Sequence, residues 1–156
     1  MPSRSRLRSL AVAVVSGALI APTAQAVELY PERRRAGLDV LSREMSTCAA
    51  YFSLLSSIVQ NSSGPGAKTE SAERIKSTGQ AMLVQSINIA NHIGMGNDTV
   101  MERVRASLEE MVQTVNADPA NSLKVMHTKY GQPCDELLQS APKRFADLLE
   151  PQRDDF

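Results

Sequence analysis

The feature that most constrains this chain is a series of apolar residues recurring at alternating steps of three and four: Leu38, Leu41, Met45, Cys48, Phe52, Leu55 and Val59. That spacing puts all seven on one stripe of an α-helix, and such a stripe is stable only when buried against other helices. The pattern predicts helix from Gly37 to about Asn61, where Ser62, Ser63, Gly64, Pro65 and Gly66 end it. One position on the stripe is a cysteine. Whatever pairs with Cys48 must therefore come from an element packed on this helix.

The same periodicity continues along the chain. Ala72, Ile75, Gly79, Met82, Ser86, Ile89 and Ile93 predict a second helix from Thr69 or Glu70 to Ile93, widened by Leu83, Ile87 and Ala90 and ended by Gly94 and Gly96. Its small residues, Ala72, Gly79 and Ser86, fall seven apart and admit a neighbouring backbone at close range. Asn97 or Asp98 offers an N-cap for a third helix, with Thr99 and Glu102 at capping-box spacing as another start, and with Met101, Val104, Leu108, Met111 and Val115 facing inward. Asp118 before Pro119 predicts a fourth helix reaching Tyr130 and stopping at Gly131, with Leu123, Met126 and Tyr130 inward. Pro133 opens a last helix carrying Cys134, Leu137, Leu138, Ala141, Phe145, Leu148 and Leu149. Pro142 lies inside it and predicts a kink or a break. No stretch alternates with period two. The expected fold is all-α, an antiparallel bundle of four to five helices with one disulfide.

Residues 1–26 carry the marks of a secretory signal peptide: Arg4, Arg6 and Arg8, an apolar run from Leu10 to Ile20, then Pro22 and the small-residue end Ala24, Gln25, Ala26. The run is too short for a stable transmembrane helix and no lipidated cysteine follows it. The expected organisation is therefore a leader (1–26), a lead-in (27–36), one helical domain (37–150) and a fraying tail (151–156), with a periplasmic or secreted address. Without the leader the balance is 14 basic against 17 acidic side chains. So mild a charge excludes the basic face of a nucleic-acid binder, and no remaining stretch is long enough for an integral membrane span.

Export also decides the chemistry of the two thiols. In an oxidising compartment, Cys48 and Cys134 have one intramolecular pairing open to them. Catalytic disulfides sit close in sequence, as in C-x-x-C, so this distant pair reads as structural. Tyr51, Phe52, Tyr130 and Phe145 flank the cysteines and are expected to pack around the bridge.

Chemistry-bearing motifs are otherwise sparse. His92 and His127 are the only histidines, outside H-E-x-x-H and C-x-x-C-H. With Met95 and Met126 they form the one candidate metal set, suited to copper(I), although methionines at inward positions also serve simply as core. Arg33, Arg34 and Arg35 sit among acidic residues and read as a solvated approach to the first helix. Glu109 and Glu110 are adjacent and cannot share a helix face as a carboxylate pair. No serine lies in G-x-S-x-G or S-x-x-K, and no glycine loop cradles phosphate. No catalytic residue and no cofactor is implied.

Cys48-Ala49-Ala50-Tyr51-Phe52 and Lys129-Tyr130-Gly131-Gln132-Pro133-Cys134, with Asn116, Asp118 and Asn121 between, resemble uncharacterised small secreted helical proteins of Gram-negative bacteria. The resemblance implies a periplasmic disulfide scaffold and carries no known activity. In architecture alone the chain is also similar to acid-stress periplasmic chaperones. The expected function is that of an exported non-enzymatic domain acting by contact with a protein or envelope component of unknown identity and in an oligomeric state that is open. The alternative is a carrier of a small ligand or copper held by methionine and histidine.

Overall fold

The computed structural model describes residues 24–62 and 70–150. The body of the leader, the Gly-Pro-Gly loop and the tail lie outside the described residues. The elements are α1 (Ala24–Ser62), α2 (Glu70–His92), α3 (Asn97–Ala117), α4 (Ser122–Met126), a π-helical turn (His127–Gly131) and α5 (Gln132–Leu149). No strand occurs among the described residues. Because α4, the π turn and α5 form one continuous rod, the fold is an all-α, up-down-up-down arrangement of four rods.

Pairings along the helices fix their directions. Ser42 meets Ser86 and Ser56 meets Ala72, so α2 runs antiparallel to α1. Asp39 meets Arg103 and Thr47 meets Ser107, so α3 runs parallel to α1. Cys48 joins Cys134 while Glu44 joins Arg144 ten residues further on, so α5 runs antiparallel again. The central element is α1: α2, α3, the π turn and α5 all pack on it, whereas the α5 backbone comes close to neither that of α2 nor that of α3.

The predicted stripes of α1 and α2 are the observed core. Leu38, Leu41, Met45, Cys48 and Phe52 are buried against Ala72, Gly79, Met82, Ser86 and Ile89. Small residues bring these two helices together. A Cβ on Gly79 would stand 3.3 Å from the Ala49 carbonyl and 3.1 Å from the Phe52 Cβ. Where the backbones approach, Ser42, Ser46 and Ser86 are buried and bond one another, which satisfies every hydroxyl the contact desolvates.

Several boundaries and faces differ from expectation. α1 begins at Ala24 and absorbs the lead-in, because Ala, Gln, Glu, Leu and Arg there all favour helix even without an apolar stripe. α3 is capped by Gly96, and neither Asn97 nor Asp98 caps it through a side chain. Its inward face starts at Val100, fully buried, rather than Met101, which is 45% exposed. Pro119 does not open a helix. The Asp118 carboxylate accepts the Asn121 backbone N–H at 3.2 Å, closing a turn, and α4 follows from Ser122. Leu123 is 56% exposed and Leu138 is 42% exposed, so both leave the core. Gly131 is helical, φ −63° and ψ −53°, and stops nothing. Helix α5 runs through Pro142 without a break, and the ring lines the α2/α5 side of the helix.

Candidate functional site

Because α5 rests on α1 alone, a cleft opens on either side of it. On the α2 side the floor is Met45 and the walls are Met82 and Ile89 from α2 and Leu138, Ala141 and Phe145 from α5, enclosing about 390 Å3. Among the described residues, Gln85 is the only polar side chain lining this groove. The half-exposed Leu138 is accounted for here: it forms part of the groove wall, not of the closed core.

The other cleft, about 320 Å3, lies over the disulfide. Cys48 and Cys134 are bonded, with their Cα atoms 5.4 Å apart, and both are buried at its base. Charged residues rim it. Arg144 Nη1 meets Glu44 Oε2 at 2.6 Å across α1 and α5. Lys129 Nζ meets Glu110 Oε1 at 2.7 Å, and the Tyr130 hydroxyl donates to the same oxygen at 2.9 Å. Those two hydrogen bonds hold the Glu110 carboxyl below its ordinary pKa, and the bond to Glu110 raises that of Lys129. These polar groups are spent on one another. Glu109 takes no part and is exposed.

The aromatic cluster is only partly gathered at the bridge. Tyr51 and Phe52 meet edge to face with ring centres 5.2 Å apart, and Tyr130 lines the disulfide cleft. Phe145 instead lines the apolar groove, about three turns along α5 from Cys134.

The candidate metal set is divided. His92 and Met95 sit where α2 gives way to α3, at the level of the first half of α1, and the Met95 sulfur accepts a long contact from Arg103 Nη2 at 3.9 Å. Met126 and His127 flank the start of the π turn and share a third cavity, about 280 Å3, with Tyr51, Leu55 and Ile58 from the second half of α1. No group of three His, Cys, Asp or Glu converges among the described residues. Tyr51, which the sequence offered only as a core aromatic, joins His127 in the lining of this cavity. Burial raises the Tyr51 pKa, and the Asp135 carboxylate adds to the shift.

No protein-family model, curated protein or solved structure matches the chain. Among the described residues no helix is long and apolar enough to cross a membrane.

Proposed function

We propose that this chain is an exported, non-enzymatic binding domain acting by contact, with an amphipathic helical segment of another envelope protein seated between α2 and α5. The observation that carries the reading is the lining of that groove, apolar but for Gln85. Its walls, Met82 to Ile89 and Leu138 to Phe145, extend about two helical turns, the length over which a partner helix presents anchors at i, i+4 and i+7. Met45 and Met82 supply side chains that adapt to different partners. A periplasmic or secreted address is supported by the leader-like first 26 residues, by the disulfide, and by the resemblance of the Cys48 and Cys134 motifs to small secreted proteins. The mild acidic balance after residue 26 favours a protein partner over a nucleic acid.

The test is a photo-crosslinking side chain in place of Leu138 in the full chain, activated in the native envelope, with Glu102 on the exposed side of α3 as the control position. A discrete polypeptide adduct from position 138 alone, lost when Ala81→Glu charges the groove that Ala81 of α2 also lines, is the expected result. Equal labelling from both positions, or no adduct from either, removes this function.

A further inference from the structure

The cavity bounded by Tyr51, Leu55, Ile58, Leu123, Met126 and His127 is separate from the α2/α5 groove, shares no residue with it, and is built differently. Leu55, Ile58 and Met126 give it apolar walls, and the half-exposed Leu123 stands at its rim. Tyr51 and His127 also line it, and their polar atoms converge beside it, over Gly131. The His127 Nδ1 and the Tyr51 hydroxyl lie 2.6 and 2.7 Å from the point where a Cβ on Gly131 would stand. Gly131 has ordinary helical angles, so glycine here supplies space rather than backbone freedom.

A local irregularity of the chain accompanies this convergence. At the π turn the Gln132 N–H bonds to the His127 carbonyl, one residue further back than an α-helix allows, which widens the helix at His127. Single π turns inside α-helices occur frequently at functional sites. A cavity of about 280 Å3 sits at the lower edge of the ~300–1,000 Å3 typical of small-ligand pockets. An apolar wall with a few convergent polar groups is the usual make-up of such a pocket.

We propose that this cavity binds a small uncharged amphiphile, a primary amide or a ketone with a short alkyl or ring portion. Its carbonyl oxygen accepts from the Tyr51 hydroxyl and from an N–H of the His127 ring, and its apolar part lies on Leu55, Ile58 and Met126. The hydroxyl keeps its proton and so remains a donor, because burial and the nearby Asp135 both oppose its ionisation. The same Asp135 charge works against an anionic head group, which separates this ligand class from fatty acids.

Octanamide, with on the order of ten heavy atoms, is a suitable probe, and octanoate is its charged counterpart. The experiment is an NMR titration of the full disulfide-bonded chain at about pH 8, where an ordinary imidazole is neutral. Octanamide is expected to shift the ring signals of His127 and Tyr51 saturably below about 5 mM, with octanoate at least about tenfold weaker. Tyr51→Phe and His127→Ala should each weaken octanamide about fivefold or more. Leu123→Glu, on an exposed position that leaves the core intact, should do the same. Unchanged affinity in these variants, equal affinity for octanoate, shifts centred on Met45 and Phe145, or no saturation would each overturn the proposal. Since the crosslinking at Leu138 reads a different cavity, failure of one reading leaves the other standing.

Discussion

Ser46 Oγ on α1 and Ser86 Oγ on α2 lie 2.8 Å apart, and neither residue exposes any surface. Ser42 completes the contact: its hydroxyl is 3.0 Å from that of Ser86, and Ser86 lies 2.7 Å from the Ser42 carbonyl. Serines at this point do what apolar residues of the same size cannot, holding two backbones close while every buried hydroxyl finds a partner, Ser42 and Ser86 on each other's helix and Ser46 on Ser86 and on the Ser42 carbonyl of its own. Ser86→Ala is expected to destabilise the fold by about 1 kcal/mol, the net value of a buried hydrogen bond. Ser86→Leu should cost more, about 2–3 kcal/mol, because the backbones must separate. Urea denaturation of the oxidised protein measures both, and equal effects would show that space, not bonding, is immaterial at this contact.

The Asp39 carboxylate bridges two arginines, Arg43 within α1 at 2.5 Å and Arg103 on α3 at 2.6 Å. Burial alone would raise the Asp39 pKa. The hydrogen bonds and charges of Arg103 and Arg43 overcome this and hold it below its ordinary value of 3.8. A carboxyl whose folded pKa is depressed contributes stability above the unfolded pKa and loses it as pH falls through the folded one. The α1/α3 contact should therefore weaken below about pH 4, and Asp39→Asn should flatten that part of the stability profile. Asp39→Asn removes the charged partner of Arg103 Nη2 from a guanidinium whose Nη1 is already buried without a partner among the described residues, so it should also cost about 1–2 kcal/mol at neutral pH. Thermal melts between about pH 3 and pH 7 test both statements.

How much of this was legible depends on which signal each helix carried. α2 was legible almost to the residue, because every inward position from Ala72 to Ile89 is apolar or small. α3 was legible except at its first turn: Val104, Leu108, Met111 and Val115 pack on the core as their spacing predicts, and only Met101 gives way, to its neighbour Val100. The polar Ser107 on this side, which meets the Thr47 hydroxyl at 3.2 Å, left no apolar signal to fix the register there. The π turn left no trace in the spacing, since Gly131 looks like a helix end wherever a glycine follows an apolar stripe. What put glycine there is the Tyr51 ring, a contact between residues 80 positions apart that no local pattern carries. The apolar groove was hidden for a related reason: Leu138, Ala141 and Phe145 fit a core stripe, and only the separation of α5 from α2 leaves Leu138 half-exposed and Phe145 partly so while Ala141 stays buried.

Cys48 and Cys134 close a loop of 86 residues, which the chain-entropy account values at up to about 4–5 kcal/mol. The paired variant Cys48→Ala/Cys134→Ala should lose about 2–4 kcal/mol once residual unfolded structure is allowed for. The loss should be uneven. Among the described elements the α5 backbone comes close only to α1 and the π turn, whereas α2 and α3 also approach each other. Hydrogen exchange should accelerate first in residues 132–149 and only later in 70–92. Uniform acceleration across all helices would mean that α5 is held by more than this bond and its α1 contacts.

Gly131→Ala sets two opposing effects against each other. Alanine favours helix over glycine by about 1 kcal/mol, and the helical angles of Gly131 accept it without strain. Against this, the new Cβ would stand 2.6 Å from His127 and 2.7 Å from the Tyr51 hydroxyl. His127 is exposed and can swing outward. Tyr51 is buried between α1 and the π turn and cannot move without disturbing Phe52, against which its ring packs. Overpacking of this kind costs about 1–3 kcal/mol, so a net loss of about 1 kcal/mol is expected. The companion variant Gly131→Ala/Tyr51→Phe removes the oxygen that the methyl group meets and should recover most of that loss. Denaturation midpoints for the two variants decide the point: no recovery in the double variant would place the strain at His127, and a stabilised single variant would show that the π turn yields more readily than the Tyr51 ring.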